Sequence, residues 1–76
     1  MIMAKHKVFV ELTAKNDNGI KRLSYHGQKW ILVKRKMDPY PGAPRNKLHY
    51  CLASNDGKQI LWVQRENDPD FTVRGL

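Results

Sequence analysis

Five basic residues flank a proline-rich loop. Lys34-Arg35-Lys36 closes one apolar segment, Arg45 and Lys47 open the next, and Asp38-Pro39-Tyr40-Pro41-Gly42-Ala43-Pro44 lies between them. If the two segments pair as strands, the five cations gather at one end of a sheet, with Tyr40 on the loop. Charges within a Debye length of one another, ~8–10 Å at physiological salt, reinforce each other's attraction for an anion. That is the electrostatic footprint of phosphate-backbone binding, and Tyr40 offers a ring for stacking on an exposed base. The same lysines would also serve as charged strand ends that discourage aggregation. A single acid, Asp38, among five cations favours the binding role.

Trp62 and Ile60 form a second candidate. Their meaning depends on which way Trp62 faces. If it points away from the core, Trp62 beside Ile60 is an exposed apolar patch of the kind that anchors an interface. If the hairpin register is shifted by one residue, Trp62 is simply core. Both placements are open at the level of sequence.

Other chemistry is missing. His6, His26 and His49 are scattered over three segments, and catalysis needs groups that converge. Cys51 lies in the middle of an apolar segment. Reactive thiols sit instead at helix N-termini or in electropositive pockets, so Cys51 reads as a small packed side chain. Ser24 and His26 flank Tyr25, but no base, nucleophile and orienting group come together there. His49 and Cys51 share a strand face and offer two metal ligands, short of a structural zinc site. No Gly-rich phosphate loop occurs. Asp56, Glu66, Asp68 and Asp70 fall in turn-rich sequence, where turn chemistry and solubility are their expected work. The chain is expected to be no enzyme, to carry no cofactor or metal, and to take no small-molecule substrate.

The charge balance agrees with an anionic partner. The 76 residues carry 14 Lys/Arg against 7 Asp/Glu, a net charge of +7. Residues 1–50 hold eleven Lys/Arg and three acids, +8, whereas residues 51–76 hold three and four, −1. Such asymmetry suits nucleic acid, an anionic surface or an acidic protein. A charge of this size also serves solubility alone. No apolar run approaches the ~20 residues of a membrane span, and the N-terminal sequence lacks the apolar stretch of a signal peptide. One cysteine allows no internal disulfide. These features lead to the expectation of a cytoplasmic protein without membrane association.

The elements that must position these residues are short. A chain of this length makes one domain, residues 1–76, with a thin core that buries only about 60% of the unfolded surface. Turn signals at 16–19, 26–27, 38–44, 55–58 and 67–70 divide the chain into apolar segments. This spacing predicts an antiparallel β meander of five or six strands. Residues 5–14 alternate, with Val8, Val10 and Leu12 on one face. Residues 20–25 read as a weaker strand. Residues 28–36 contain Trp30-Ile31-Leu32-Val33, apolar on both faces and expected to be covered on both. Residues 47–54 and 58–65 form a hairpin. Asp56-Gly57 suits a two-residue type I′ turn, which pairs Leu52 with Leu61 and Tyr50 with Val63 on one face. Cys51 then pairs with Trp62, and Ala53 with Ile60, on the other. A single 3₁₀ turn is expected near 66–70, then a last strand at 71–74.

This order of strands and loops resembles an SH3-like, partly open barrel; an OB-like five-stranded barrel is the alternative. The acidic first loop and paired tryptophans of peptide-binding SH3 domains are absent, so their Pro-rich ligand is not implied. The sequence therefore leads to a non-enzymatic binding module. It is expected to bind nucleic acid through the phosphate backbone with weak sequence specificity, or to act as an accessory of nucleic-acid machinery, through its cationic loop end. The alternative is a small protein-interaction module or inhibitor, of the kind viral or plasmid genes encode, that binds an acidic surface of a host protein.

Overall fold

The computed structural model describes residues 8–75. It contains β1 (Phe9–Ala14), α1 (Asp17–Leu23), β2 (Lys29–Met37), β3 (Leu48–Ala53), β4 (Ile60–Gln64) and β5 (Phe71–Gly75). The strands form one antiparallel sheet in the order β4-β3-β2-β1-β5. The sheet does not close: β4 and β5 are its two edges. Residues 5–7 of the expected first strand, and His6, lie outside the described residues.

β2 is the hinge of the sheet. Its N-terminal residues 29–31 pair with β1, Val10 opposite Trp30, and residues 31–37 pair with β3, Ile31 opposite Ala53 and Met37 opposite Leu48. A β-bulge between Leu32 and Lys34 interrupts the β3 ladder. The bulge leaves Val33 exposed, so the expectation that both faces of 30–33 are covered holds for Trp30 and fails for Val33.

The core is Val10, Leu12, Trp30, Leu52, Leu61, Val63 and Phe71, with Leu23, Leu32, Tyr50 and Val73 packed on it. Each fully buried aliphatic or Phe side chain contributes roughly 1.5–3 kcal/mol. Trp30 is wholly buried, and its Nε1–H donates to the Gly27 carbonyl at 3.1 Å, so its one polar group is satisfied.

The β3–β4 register is the expected one: Tyr50 opposite Val63, Cys51 opposite Trp62, Leu52 opposite Leu61, Ala53 opposite Ile60. The turn that sets it differs. The Gly57 amide donates to the Ser54 carbonyl at 2.9 Å, and Gly57, but not Asp56, is left-handed. This is a four-residue loop over 55–58, not a type I′ turn. Both loops leave Ser54 opposite Gln59, so the register survives the change. The Ser54 hydroxyl, donating to Asp56 at 2.6 Å and accepting from Gln59 N, stabilises the wider turn.

Two elements differ from expectation. Residues 20–25 are not a strand. The Asn16-Asp17-Asn18-Gly19 turn signal is a helix start, in which the Asn16 side chain caps the Gly19 amide at 2.8 Å. Asp17 in the first turn and Lys21 and Arg22 in the last complement the helix dipole. Seven residues are too few for this helix to stand alone. Asn16, Asn18 and Arg22 tie it to Asp70, and a Cβ on Gly19 would meet the Asp70 carbonyl oxygen at 2.4 Å. Residues 66–70 make bends around Asp68, not a 3₁₀ turn. The buried Asp68 carboxylate accepts the amides of Gln64, Asp70 and Phe71 at 2.9, 2.9 and 3.2 Å.

Candidate nucleic-acid interface

The face of the β2–β3–β4 sheet turned away from the core is built in cross-strand rows. Register places Ile31, Ala53 and Ile60 in one row, Lys34, Cys51 and Trp62 in the next, and Lys36, His49 and Gln64 in a third. Successive rows are two residues apart along β3 and β4, about 7 Å, and the β2 bulge sets the first two rows three residues apart on that strand.

Trp62 therefore faces outward, in the expected register. It is half-buried, and the Lys34 ammonium lies 5.8 Å from its ring centroid. Ile60 is 53% exposed. The floor of the face is firmer than a surface sheet requires, since Cys51 and His49 are both buried. Tyr40 meets His49 edge-on, with ring centroids 6.2 Å apart. The proline-rich loop is thus folded against this face.

The loop's own geometry explains that placement. Asp38 and Asn46, at its two ends, are both left-handed. Between them the Ala43 amide donates to the Tyr40 carbonyl at 3.1 Å, with Pro41 first and left-handed Gly42 second in the turn. That is the chemistry of a type II turn. The loop encloses a concavity of about 430 Å³ lined by Asp38, Tyr40 and Arg45.

His49 carries an unpartnered atom. Its Nδ1 lies 2.9 Å from the Lys47 carbonyl, which can only accept, so Nδ1 holds the proton. Nε2 is buried and has no hydrogen-bond partner among the described residues.

The five cations are divided. Lys34 and Lys36 stand on the outer face. Arg35 points to the opposite side, 6.0 Å from the Tyr50 ring. Arg45 lines the loop concavity, and Lys47 lines a smaller one, about 170 Å³, with Arg65 and Glu66. Among the described residues the ion pairs are Arg22–Asp70 and Arg74–Glu11, and neither involves these five. Among the described residues no acid compensates their charge by direct contact.

Two acids of the turns act elsewhere. Partial burial pushes the Asp70 carboxyl up, but hydrogen bonds from Arg22, Asn16 and Asn18 outweigh it and hold it below the usual aspartate range. The Ser54 hydroxyl and the Lys58 amide likewise lower Asp56. Among the described residues no three His, Cys, Asp or Glu side chains cluster as a metal site, and no helix is long and apolar enough to cross a membrane.

Sequence reasoning missed two participants, His49 as the floor under Tyr40 and Lys34 as the partner of Trp62. Each needs the β2–β3 register, which a ten-residue loop and a bulge hide. The chain matches no protein-family model, no curated protein and no solved structure.

Proposed function

We propose that this chain is a non-enzymatic, intracellular binding domain with an SH3-like layout, and that its ligand is nucleic acid held mainly through the phosphate backbone. The layout is supported by the connectivity: β1 to β4 pair in sequence and β5 returns to β1. The observation that carries the ligand is the set of unpaired cations around one loop. Lys34, Arg35, Lys36, Arg45 and Lys47 have no ion-pair partner among the described residues, while Asp56, Asp68 and Asp70 are engaged in turns and in the α1 network. Unpaired ammonium and guanidinium groups release counterions from a phosphate chain on binding, and this term dominates non-specific affinity. Phosphate contacts carry no base information, so binding is weakly sequence-specific.

Replacing Lys34 and Lys36 together by Glu tests this. Affinity for a short oligonucleotide should fall steeply, and the slope of log affinity against log salt should shrink by about 0.7–0.9 for each lost contact. Unchanged affinity and slope would remove these residues from the site.

A second reading has its own observation. The row Ile31–Ala53–Ile60 is apolar and ends on exposed Ile60 beside Trp62, which suits a protein-interaction module or inhibitor anchored there. The cationic loop would then steer it to an acidic protein surface.

A further inference from the structure

We propose that the ligand is single-stranded and that Trp62 is its base-stacking platform, forming one continuous site with Lys34, Lys36 and Tyr40. This rests on the nucleic-acid reading above and adds the strandedness of the ligand and the residue that selects it.

Three observations lead there. First, the two candidates of the sequence are one surface. Register sets Lys34 and Trp62 in the same row, and the ammonium lies over the indole at 5.8 Å. The neighbouring row carries Lys36 and His49, with the Tyr40 ring edge-on to His49 at 6.2 Å. Two rings and two ammonium groups therefore share a span of two rows. A single strand offers bases to the rings and phosphates to the ammonium groups. A duplex offers its phosphates but keeps its bases stacked inside, so it has nothing to place on Trp62.

Second, the surface between the cations is a floor, not a cleft. His49 and Cys51 are buried beneath it, so a flat base meets ring and packed side chains without leaving a crevice. The Lys34 ammonium at this distance is held weakly over the indole. It is free to swing to a phosphate when a base takes its place.

Third, the platform is fixed before any ligand arrives. Trp62 sits on an edge strand, where its carbonyl points away from β3. Arg22 Nη2 donates to that carbonyl at 2.8 Å, and Arg22 is itself held by Asp70 at 2.8 Å. The Gln64 amide on the same free edge donates to Asp68. The strand that carries the indole is thereby kept from fraying and from pairing with another chain.

The test compares a single strand of about ten nucleotides with the duplex of the same sequence, using the full chain at low salt. Intrinsic fluorescence is informative because Trp30, the other tryptophan, is wholly buried. The single strand should quench Trp62 emission and the duplex should not. Trp62→Ala should lose single-strand affinity about five- to a hundredfold, leave duplex affinity unchanged and abolish the quenching. Trp62→Phe should keep most of the single-strand affinity. If the Ala variant does not fold, quenching of the native chain and the Phe variant decide the matter. Equal affinity for both ligands without quenching overturns the stacking platform and leaves phosphate binding standing. Binding of neither ligand overturns the nucleic-acid reading, and this inference with it.

Discussion

Arg22 and Lys34 are both cations laid over an aromatic ring, and their circumstances could hardly differ more. Arg22 lies 5.0 Å from the Phe71 centroid and Lys34 lies 5.8 Å from the Trp62 centroid. Arg22 is partly buried, ion-paired with Asp70 and bonded to the Trp62 carbonyl. Lys34 is exposed and has no counter-ion among the described residues. Around Arg22 several other polar groups are also paired: Lys15 with the Asp68 carbonyl, Asn16 and Asn18 with Asp70, Asp68 with three amides. The α1 side of the molecule spends its charge on holding the fold together. The outer face of β2 and β3 leaves its charge unspent, which is the condition for attracting an outside anion.

The contrast is broken most easily at Arg22. Arg22→Ala removes hydrogen bonds to a carboxylate and to a main-chain carbonyl, and should lower stability in urea by about 2–3 kcal/mol. Its charge is already neutralised, so the salt slope for nucleic acid should not change. A smaller salt slope would mean that Arg22 reaches a phosphate.

Gly19→Ala should come next. The added Cβ meets Asp70 main chain at 2.4 Å, and overpacking of this kind costs roughly 1–3 kcal/mol, more than the helix-propensity gain of about 1 kcal/mol. Unchanged stability would show that α1 is not seated on the 66–70 loop.

The acid limb of stability should also report the α1 side. The folded Asp70 and Asp56 carboxyls are both held below their ordinary value, so each favours the folded state fully above about pH 4. That contribution is lost as pH falls through the lower folded value. Asp70→Asn should flatten the fall in Tm below pH 4. An unchanged acid limb would place the pH dependence in other groups.

The smallest effect on stability is expected on the outer face. Lys34→Ala and Lys36→Ala should each stay within about 0.5 kcal/mol of the native chain in urea, while each takes one contact from the salt slope. A large loss of stability would show these lysines to be structural, as Arg22 is.

The β3–β4 hairpin was legible because Asp56-Gly57 and the alternation on either side agree on one register. The turn type was not, since two- and four-residue loops over the same centre give identical pairs. α1 escaped notice because Leu23 and Tyr25 alternate like a strand, and because seven residues carry too little helical periodicity to compete. Its stability comes from Asp70, fifty residues away in the chain. The cations themselves were legible from composition and spacing. Their division between two faces was not, because it depends on the bulge beside Val33 and on strand alternation through Lys34-Arg35-Lys36.

The most direct test of the central claim is a titration of the native chain with a short oligonucleotide, followed by residue-resolved amide shifts at two salt concentrations about fourfold apart. Saturable binding is expected, with shifts clustered at residues 34–49 and around Trp62, and a steep loss of affinity at the higher salt. Shifts clustered instead on α1 and residues 66–70, or no binding at low salt, would contradict the account.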